Sequence, residues 1–209
     1  MADNYIERKM EQMQSGASDR GQHYRSVEAL MTFNRSTRGY DSSYIVHPFQ
    51  LRAIVSVNSR IASARNQQVL RFHLVTSERA GLVLPLVGMA RNLPQLHLPL
   101  PGTEPNAFIV ICTTNPEAPH LEFDEGIAAQ SMLLKAAEMG LNGLIIKNFN
   151  PDKMRAALGL SLPVTCVVAI GRSKEKIALT QVHEGESLKY YRENQVHFVP
   201  KLSLDDILI

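Results

Sequence analysis

The order of apolar and polar positions predicts two helices and a strand in the first part of the chain. SVEALMTF has apolar residues at helical spacing behind Ser26, a suitable N-cap, and a second helix is predicted to open at His47-Pro48. RFHLVTS then predicts a short strand by its alternation. A breaker cluster, SGASDRGQ, precedes this region, so we expect residues 1–25 to form an N-terminal arm or helix and residues 26–209 to form one domain.

Alternating strands and helices are predicted for the middle of the chain. AFIVICTT is a continuous apolar run that predicts a strand covered on both faces, and NGLIIKNF and PVTCVVAIG predict two more strands. Helical patterns between them run from Phe123 to Met139 and from Pro151-Asp152 to Gly159. One face of the longer helix carries Ile127, Gln130, Ser131, Leu134, Ala137 and Glu138. The order strand, helix, strand, helix, strand is typical of an α/β arrangement.

The segment 81–106 is apolar and rich in proline. Its prolines exclude a long regular element, and its many leucines do not fit a solvated loop. We therefore expect it to pack against a second subunit or a bound ring. Beyond residue 171, KIALTQVHE and VHFVP predict short strands or extended arms, and the chain ends in the acidic and apolar LSLDDILI.

Composition and charge exclude several classes of protein. The 209 residues are 44% hydrophobic with a formal net charge of +2, which gives no reason to expect nucleic acid or an anionic membrane as a partner. The N-terminus is charged where a secretory signal carries its apolar core, so we expect a cytoplasmic protein. Cys112 and Cys166 lie in apolar runs and are expected to be buried thiols. The histidines lack metal-ligand spacing, so no metal site is expected.

The polar loop after the first helix contains Asn34-Arg35-Ser36-Thr37-Arg38. Two arginines in such a loop are by themselves also typical of a solvated surface. The loop is, however, the first of four segments that in order resemble the FMN-dependent nitroreductase family, over roughly Ala29 to Ile209. Here it resembles the family's basic RRSxR loop, which implies that Arg35, Ser36 and Arg38 hold the flavin phosphate and ribityl chain. Guanidinium forks suit a phosphate because two N–H groups meet two oxygens at once.

The second segment, residues 62–68, is similar to the family's PSxxNxQPW sequence. The resemblance implies that Ser63, Asn66 and Gln68 meet the pyrimidine edge of the isoalloxazine, since amide side chains offer a donor and an acceptor together. From the residues alone, an ordinary capped helix end remains an alternative. The family's Pro, Pro and Trp are replaced here by Ala62, Val69 and Leu70, which predicts a pocket of different shape.

The third segment, FDEGIAAQSMLLKAAEMGLNGLIIKNFN, resembles the family's core helix, its turn and the strand that follows. The resemblance implies that backbone N–H groups around Lys147 and Asn148 face the flavin N5, where a main-chain donor stabilises the charge that develops during hydride transfer. The side chain of Lys147 is then either a cation near the ring or an exposed lysine at the end of a strand. No catalytic side chain is assigned, because no histidine-carboxylate or nucleophile-base pair stands out.

The fourth segment, at the C-terminal end, resembles the family's basic and acidic C-terminal sequence. Lys201 stands where an arginine that reaches the phosphate is usual, while Asn34 and Leu202 stand where the family has further cations. Each charge-assisted contact to phosphate is worth about 1.5–3 kcal/mol. The sequence therefore predicts weaker FMN binding, unless another cation compensates. The candidates are Arg65, Arg71 and Arg172.

The resemblance also implies a fold and a function. The fold expected is α+β, a three-layer α/β arrangement with a central mixed sheet flanked by helices and a C-terminal extension wrapping the partner of a homodimer. The function expected is FMN-dependent NAD(P)H oxidoreduction, with ping-pong hydride transfer through FMN to nitroaromatic, quinone or similar small-molecule electron acceptors. The alternatives are other flavin chemistry on this scaffold, such as dehalogenation or flavin fragmentation, and flavin binding without redox turnover. The sequence selects neither NADH nor NADPH, and names no physiological acceptor.

Overall fold

The computed structural model describes residues 26–89 and 98–209. The arm expected at residues 1–25, and residues 90–97 of the apolar segment, lie outside these described residues. The described chain combines helices with two sheets, and the expected α+β class is confirmed.

The first helices begin where the sequence predicts. Helix α1 spans Val27–Phe33, and the Ser26 side chain accepts a hydrogen bond from the Ala29 N–H at 3.1 Å. Helix α2 spans Pro48–Val55 with proline in its first turn. The chain continues in two short 3-10 turns, at Ser56–Ser59 and Ala64–Asn66.

Four strands form the main sheet. They are β1 (Leu70–Val75), β2 (Ala107–Thr113), β3 (Asn142–Ile146) and β4 (Val164–Gly171), in the spatial order β1-β2-β4-β3. All three ladders between these strands are antiparallel, which corrects the expectation of a mixed central sheet. The reason is that strand direction alternates across the sheet: β4 lies between β2 and β3, and β2 lies between β1 and β4, so no two strands that run parallel are neighbours. A parallel pairing occurs at the isolated bridge between Ser36 and Gly143, beside β3.

Both faces of the main sheet are covered, giving three layers. Helix α4 (Leu121–Glu138) packs with α2 on the face that carries Ile109 and Ile111. Helices α3 (Ala80–Val83) and α5 (Pro151–Leu158) cover the face that carries Phe108 and Val110. Every residue of β2 is buried, which confirms the strand covered on both sides. Helix α5 ends, as predicted, at Gly159 in the left-handed conformation.

The buried side of α4 combines alanines and two acids with two larger apolar residues. Its buried residues are Asp124, Glu125, Ala128, Ala129, Met132, Leu133, Ala136 and Ala137. The face named from the sequence, apart from Ala137, lies further from the core, and its Ile127 is exposed. Alanines allow the helix axis to lie close to the sheet, and Met132 and Leu133 fill the core between them.

A second sheet follows the main one and folds back on the same chain. It contains β5 (Lys176–Val182), β6 (Tyr191–Glu193) and β7 (Val196–Leu202) in the order β5-β7-β6, with β5 parallel to β7. The short helix α6 (Leu204–Ile207) ends this region. The sheet is attached to the first loop because the Arg38 N–H donates to the Glu175 carboxylate at 2.6 Å. Wrapping around a partner subunit stays a prediction.

Residues 81–89 of the apolar segment pack against the core of their own chain. Val83 and Met89 are buried there with Phe108, and Val87 forms a bridge with Phe149. These residues therefore pack within their own chain, and not against a second subunit or a bound ring as expected.

The two cysteines are buried thiols, as expected. Burial raises the pKa of Cys112, and burial followed by the nearby Glu125 charge raises the pKa of Cys166 to about 11. Among the described helices, none has the length and apolar character needed to cross a membrane. In the same residues, no group of three or more His, Cys, Asp or Glu side chains could hold a metal ion.

Candidate functional site

A cavity of about 330 Å³ lies between the loop after α1, the start of β3, helix α4 and the second sheet. We call it the loop cavity. Its lining residues are Asn34, Arg35, Ser36, Arg38, Gln130, Leu133, Ile145, Ile177, Tyr190, His197, Val199 and Lys201. The structure thus brings Arg35, Ser36, Arg38 and Lys201 to one cavity.

The loop with the two arginines is fixed to the start of β3. The Thr37 N–H donates to the Gly143 carbonyl at 3.0 Å, and the Tyr40 hydroxyl donates to the Thr37 carbonyl at 2.7 Å. Glycine is required at position 143 because a Cβ there would lie 2.3 Å from the Ala169 carbonyl oxygen and 2.6 Å from the Leu133 side chain. The close approach of loop, strand and helix therefore depends on this one residue.

Both arginines of the loop are oriented by carbonyl oxygens. Arg35 donates from Nε to the Asn34 carbonyl at 2.6 Å and from Nη2 to the Met31 carbonyl. Arg38 donates from Nε to the Met89 carbonyl at 2.6 Å. In the described chain, neither guanidinium is in an ion pair with a carboxylate. A guanidinium has five N–H donors, so each retains donors and a full charge for an anion.

Strand β7 supplies the opposite wall of the loop cavity. His197, Val199 and Lys201 share one face of the strand by alternation, and all three line the cavity. The ring of His197 lies 5.2 Å from that of Tyr190, and the Arg38 guanidinium carbon lies 5.2 Å from the Tyr190 ring centroid. Burial lowers the pKa of His197, the nearby Glu175 charge opposes this, and the arginines nearby lower it further.

The three arginines that could compensate for the missing cations have different surroundings. Arg172 stacks on Tyr44 with 3.7 Å between its guanidinium carbon and the ring centroid. Arg71 donates to the Gln68 carbonyl at 2.9 Å, and Arg65 belongs to the 3-10 turn just before it. None of the three lines the loop cavity. Arg172 instead lines a neighbouring cavity of about 340 Å³ together with Arg35 and Glu175, whereas Arg65 and Arg71 lie near the start of β1. Compensation by one of these arginines stays a prediction.

The predicted pyrimidine-binding residues lie in a backbone of unusual conformation. Asn66 and Gln68 have φ of 52° and 46°, and Arg65 has φ of 52°. Left-handed conformations are costly for residues other than glycine and cluster at functional sites. Ser63 and Gln68 line a second, smaller cavity, of about 60 Å³. The Gln68 side-chain amide donates to Asn66 Oδ1 at 2.9 Å.

A buried carboxylate holds this segment in place. Asp124 accepts hydrogen bonds from the Ala64 N–H at 2.7 Å and from the Gln67 amide at 2.9 Å. It was missed in the sequence because an acid in the first turn of a helix is usually explained by the helix dipole. The two adjacent acids at the start of the core helix are the signal that could have indicated it.

Lys147, just after β3, forms an ion pair although most of its side chain is exposed to solvent. Its Nζ donates to Glu125 Oε2 at 2.9 Å and to the Thr165 carbonyl at 2.8 Å, while its side chain is 57% exposed. Glu125 is only 6% exposed, and its other oxygen, Oε1, has no hydrogen-bond partner among the described residues. The lysine is therefore held in one orientation by a largely buried acid.

Asn148 turns away from the edge of the sheet. Its carbonyl accepts a hydrogen bond from the Gly88 N–H at 2.8 Å, and a Cβ on Gly88 would lie 2.0 Å from the Asn148 amide nitrogen. Its side chain is thus packed on the 81–89 segment, which leaves only its backbone for the predicted role at the flavin.

The predicted residues form two groups at the two ends of β3. Gly143, which pairs with Ser36, is separated from Lys147 by four residues, or roughly 13 Å along a strand. The 63–68 segment lies at the Lys147 end, because β1 begins there beside the end of β2. Asn66, Lys147 and Asn148 do not line the loop cavity or the smaller cavity.

Comparison with known proteins gives one family and a set of similar folds. The model of the nitroreductase family matches residues 32–172. No curated protein sequence matches the chain. A nitroreductase family protein from Streptococcus pneumoniae TIGR4 is 16% identical with a TM-score of 0.62, over 86% of this chain and 97% of that one.

Two further solved structures are similar to this chain. The FMN- and NADPH-dependent nitroreductase from Sphigopyxis sp. strain HMH is 18% identical with a TM-score of 0.58, over 72% of this chain and 89% of that one. A protein from Exiguobacterium sibiricum, solved in complex with FMN, is 16% identical with a TM-score of 0.57, over 72% and 90%. At these identities the similarity establishes the fold.

Proposed function

Because the chain belongs to the nitroreductase family, we propose that it is an FMN-dependent oxidoreductase that takes hydride from NADH or NADPH and passes electrons to a nitroaromatic, quinone or similar acceptor. The observation that carries the proposal is the loop cavity, where Arg35, Ser36, Arg38 and Lys201 meet. Similar folds that are FMN-dependent, or that were solved with FMN, support it.

The residues of the loop cavity fit a flavin phosphate. Carbonyl groups orient Arg35 and Arg38, and neither guanidinium is in an ion pair within the described chain. Both positive charges can therefore bind a dianion. The volume of about 330 Å³ falls in the range of small-molecule sites, which is about 300–1,000 Å³. Ser36 adds a hydroxyl that can donate to an oxygen of the phosphate or the ribityl chain.

The far end of β3 fits the flavin ring. We assign Ser63, Asn66 and Gln68 to the pyrimidine edge, with Asp124 as the residue that positions their segment. Bound FMN supplies the hydride-carrying chemistry at its N5. The chain supplies the backbone N–H groups at positions 147 and 148, and a cation on Lys147 that favours negative charge on a nearby ring.

We infer further that the protein is a cytoplasmic homodimer. Phe123 is 72% exposed on the outer side of α4, and Ile127, four residues further along the same helix, is also exposed. Apolar side chains grouped in this way mark an interaction surface. A second subunit seated here would also exclude water from the edge of β3, where the ring is proposed to lie.

The visible absorption spectrum tests the proposal. The purified protein, with and without added FMN, should show a bound-flavin spectrum that bleaches when NADH or NADPH is added without oxygen. A flavin spectrum that neither nucleotide bleaches would favour flavin binding without redox turnover. A protein that stays colourless with FMN would refute the proposed function.

A further inference from the structure

The loop cavity lacks two of the cations that the sequence comparison led us to expect. Position 34 is an asparagine, position 202 is a leucine, and Arg65, Arg71 and Arg172 do not line the cavity. A dianionic ligand would therefore meet Arg35 and Arg38 with fewer partners than a phosphate usually has. Another polar group of the cavity wall is needed on the side opposite the loop.

The topology of the second sheet determines which residue of β7 lies on that side. Glu175, directly before β5, binds the backbone of Arg38, so the start of β5 lies at the arginine loop. Strand β7 runs parallel to β5, and His197 pairs with Ile177 near the starts of both strands. Lys201 is four residues further along, or roughly 13 Å. His197 is consequently the residue of β7 that is nearer to the arginines.

The imidazole of His197 has the burial expected of a ligand-binding group. It is 4% exposed, and its Nδ1 has no hydrogen-bond partner among the described residues. A buried polar atom without a partner costs about 1–3 kcal/mol, and the imidazole that carries it lines the loop cavity. The Tyr190 ring packs against the imidazole and limits its rotation.

The charges around His197 permit an anion. Glu175 is its one acidic neighbour, and that carboxylate is already bound by Arg192 and by the Arg38 backbone. The remaining charged neighbours, Arg38 and Arg192, are cations. A phosphate placed between the loop and β7 would thus face an excess of positive charge.

We propose that His197 is a ligand of the FMN phosphate, which it binds together with Arg35 and Arg38 from the opposite wall of the loop cavity. The proposal rests on the proposed function. The second sheet then completes the cofactor site from within the same chain, although His197 lies outside residues 32–172, the part that matches the family model. An imidazole N–H thereby takes the place of one of the missing phosphate donors.

Affinity for FMN compared with riboflavin tests the proposal, because riboflavin lacks the phosphate. His197→Phe keeps a ring against Tyr190 and removes both nitrogens. Its Kd for FMN should rise about 10- to 100-fold, as expected for a lost charge-assisted contact. Its Kd for riboflavin should stay within about twofold, which is near the usual effect of a neutral change. The matched control is His73→Phe, since His73 also has an unpartnered ring nitrogen but does not line the loop cavity.

The outcomes distinguish failure of the proposed role of His197 from failure of the proposed function. Equal losses for FMN and riboflavin, or no loss for FMN, would overturn the role of His197 and leave the proposed function standing. A wild-type protein that binds neither flavin would overturn both. If His197→Phe fails to fold, NMR of the wild-type imidazole decides the matter: its nitrogen resonances should shift with FMN and not with riboflavin, and identical shifts would refute the proposal.

Discussion

Two neighbouring acids, Asp124 and Glu125, arrange the far end of β3. Asp124 uses both oxygens on the 63–68 segment, whereas Glu125 uses one on Lys147 and leaves the other buried without a described partner. A buried acid is costly unless it is paired. The lysine that satisfies Glu125 is therefore positioned by the fold and does not extend freely into solvent.

Lys147→Met should lower the midpoint potential of bound FMN. A cation near the ring favours the negatively charged reduced flavin, and a loss of 1.4 kcal/mol corresponds to about 30 mV for a two-electron couple. Anaerobic titration against a reference dye measures the shift. Lys174→Met is the control, because Lys174 is also ion-paired and is 61% exposed, close to the 57% of Lys147. An unchanged or raised potential in Lys147→Met would contradict the assignment.

Stability should fall as the pH is lowered through the range in which histidine titrates. Burial lowers the pKa of His73 and His197 below the ordinary value of 6.5. The unfolded chain then binds more protons than the folded one, so the free energy of unfolding is largest above pH 6.5 and decreases below it. Urea unfolding midpoints on either side of this value measure the effect. A variant with both histidines replaced by Phe should show a weaker dependence, and an equal one would disprove the cause.

At the scale of elements, the first turn of α4 connects the two segments proposed to meet the flavin ring. Asp124 reaches the 63–68 segment, and Glu125 reaches the end of β3. The left-handed residues at 65, 66 and 68 need such an anchor, because their conformation is unfavourable alone. A change that disturbs the first turn of α4 is therefore expected to disturb the 63–68 segment and the end of β3 as well.

Asp124→Ala should weaken the binding of FMN and riboflavin by similar factors. The variant removes the anchors of the 63–68 segment, which is assigned to the ring and not to the phosphate. It should also destabilise the fold by about 1–3 kcal/mol, since buried donors lose their acceptor. Equilibrium unfolding and flavin titrations measure both effects. The control, Asp152→Ala, removes an exposed acid from the first turn of α5 and should change neither quantity; a selective loss of FMN affinity in Asp124→Ala would contradict the assignment.

At the scale of the whole molecule, the two sheets play different parts. The main sheet forms the core with helices on both faces, and the second sheet returns to the arginine loop and closes the loop cavity. The outer side of α4 and the edge of β3 stay exposed with apolar residues.

The homodimer should depend on the outer side of α4. Phe123→Glu combined with Ile127→Glu places charges on this surface, so sedimentation equilibrium should show a shift from dimer toward monomer. Leu82→Glu is the control, because Leu82 is also exposed but belongs to α3, on the other side of the main sheet. A dimer unaffected by the double change would place the interface elsewhere, and a monomeric wild type would refute the homodimer.

Local sequence determined most of the helices and strands of this protein. Ser26, Pro48 and Gly159 have conformational preferences that depend on near neighbours alone, and helix boundaries follow from them. The continuous apolar run of β2 likewise predicts burial without knowledge of its partners. The resemblance to the family's motifs also indicated Arg35, Ser36, Arg38 and Lys201, which the structure brings to one cavity.

Only the tertiary structure decided which strands pair and which residues surround the candidate site. Insertion of β4 between β2 and β3, and the parallel pairing of β5 with β7, join residues far apart in the chain, and no local pattern specifies such partners. The same pairing brings His197 to the arginine loop, and the packing of α4 buries Asp124 and Glu125. Their roles arise from burial and from distant contacts, which is the physical reason why the sequence indicated the cations of the site but not the residues that complete and position it.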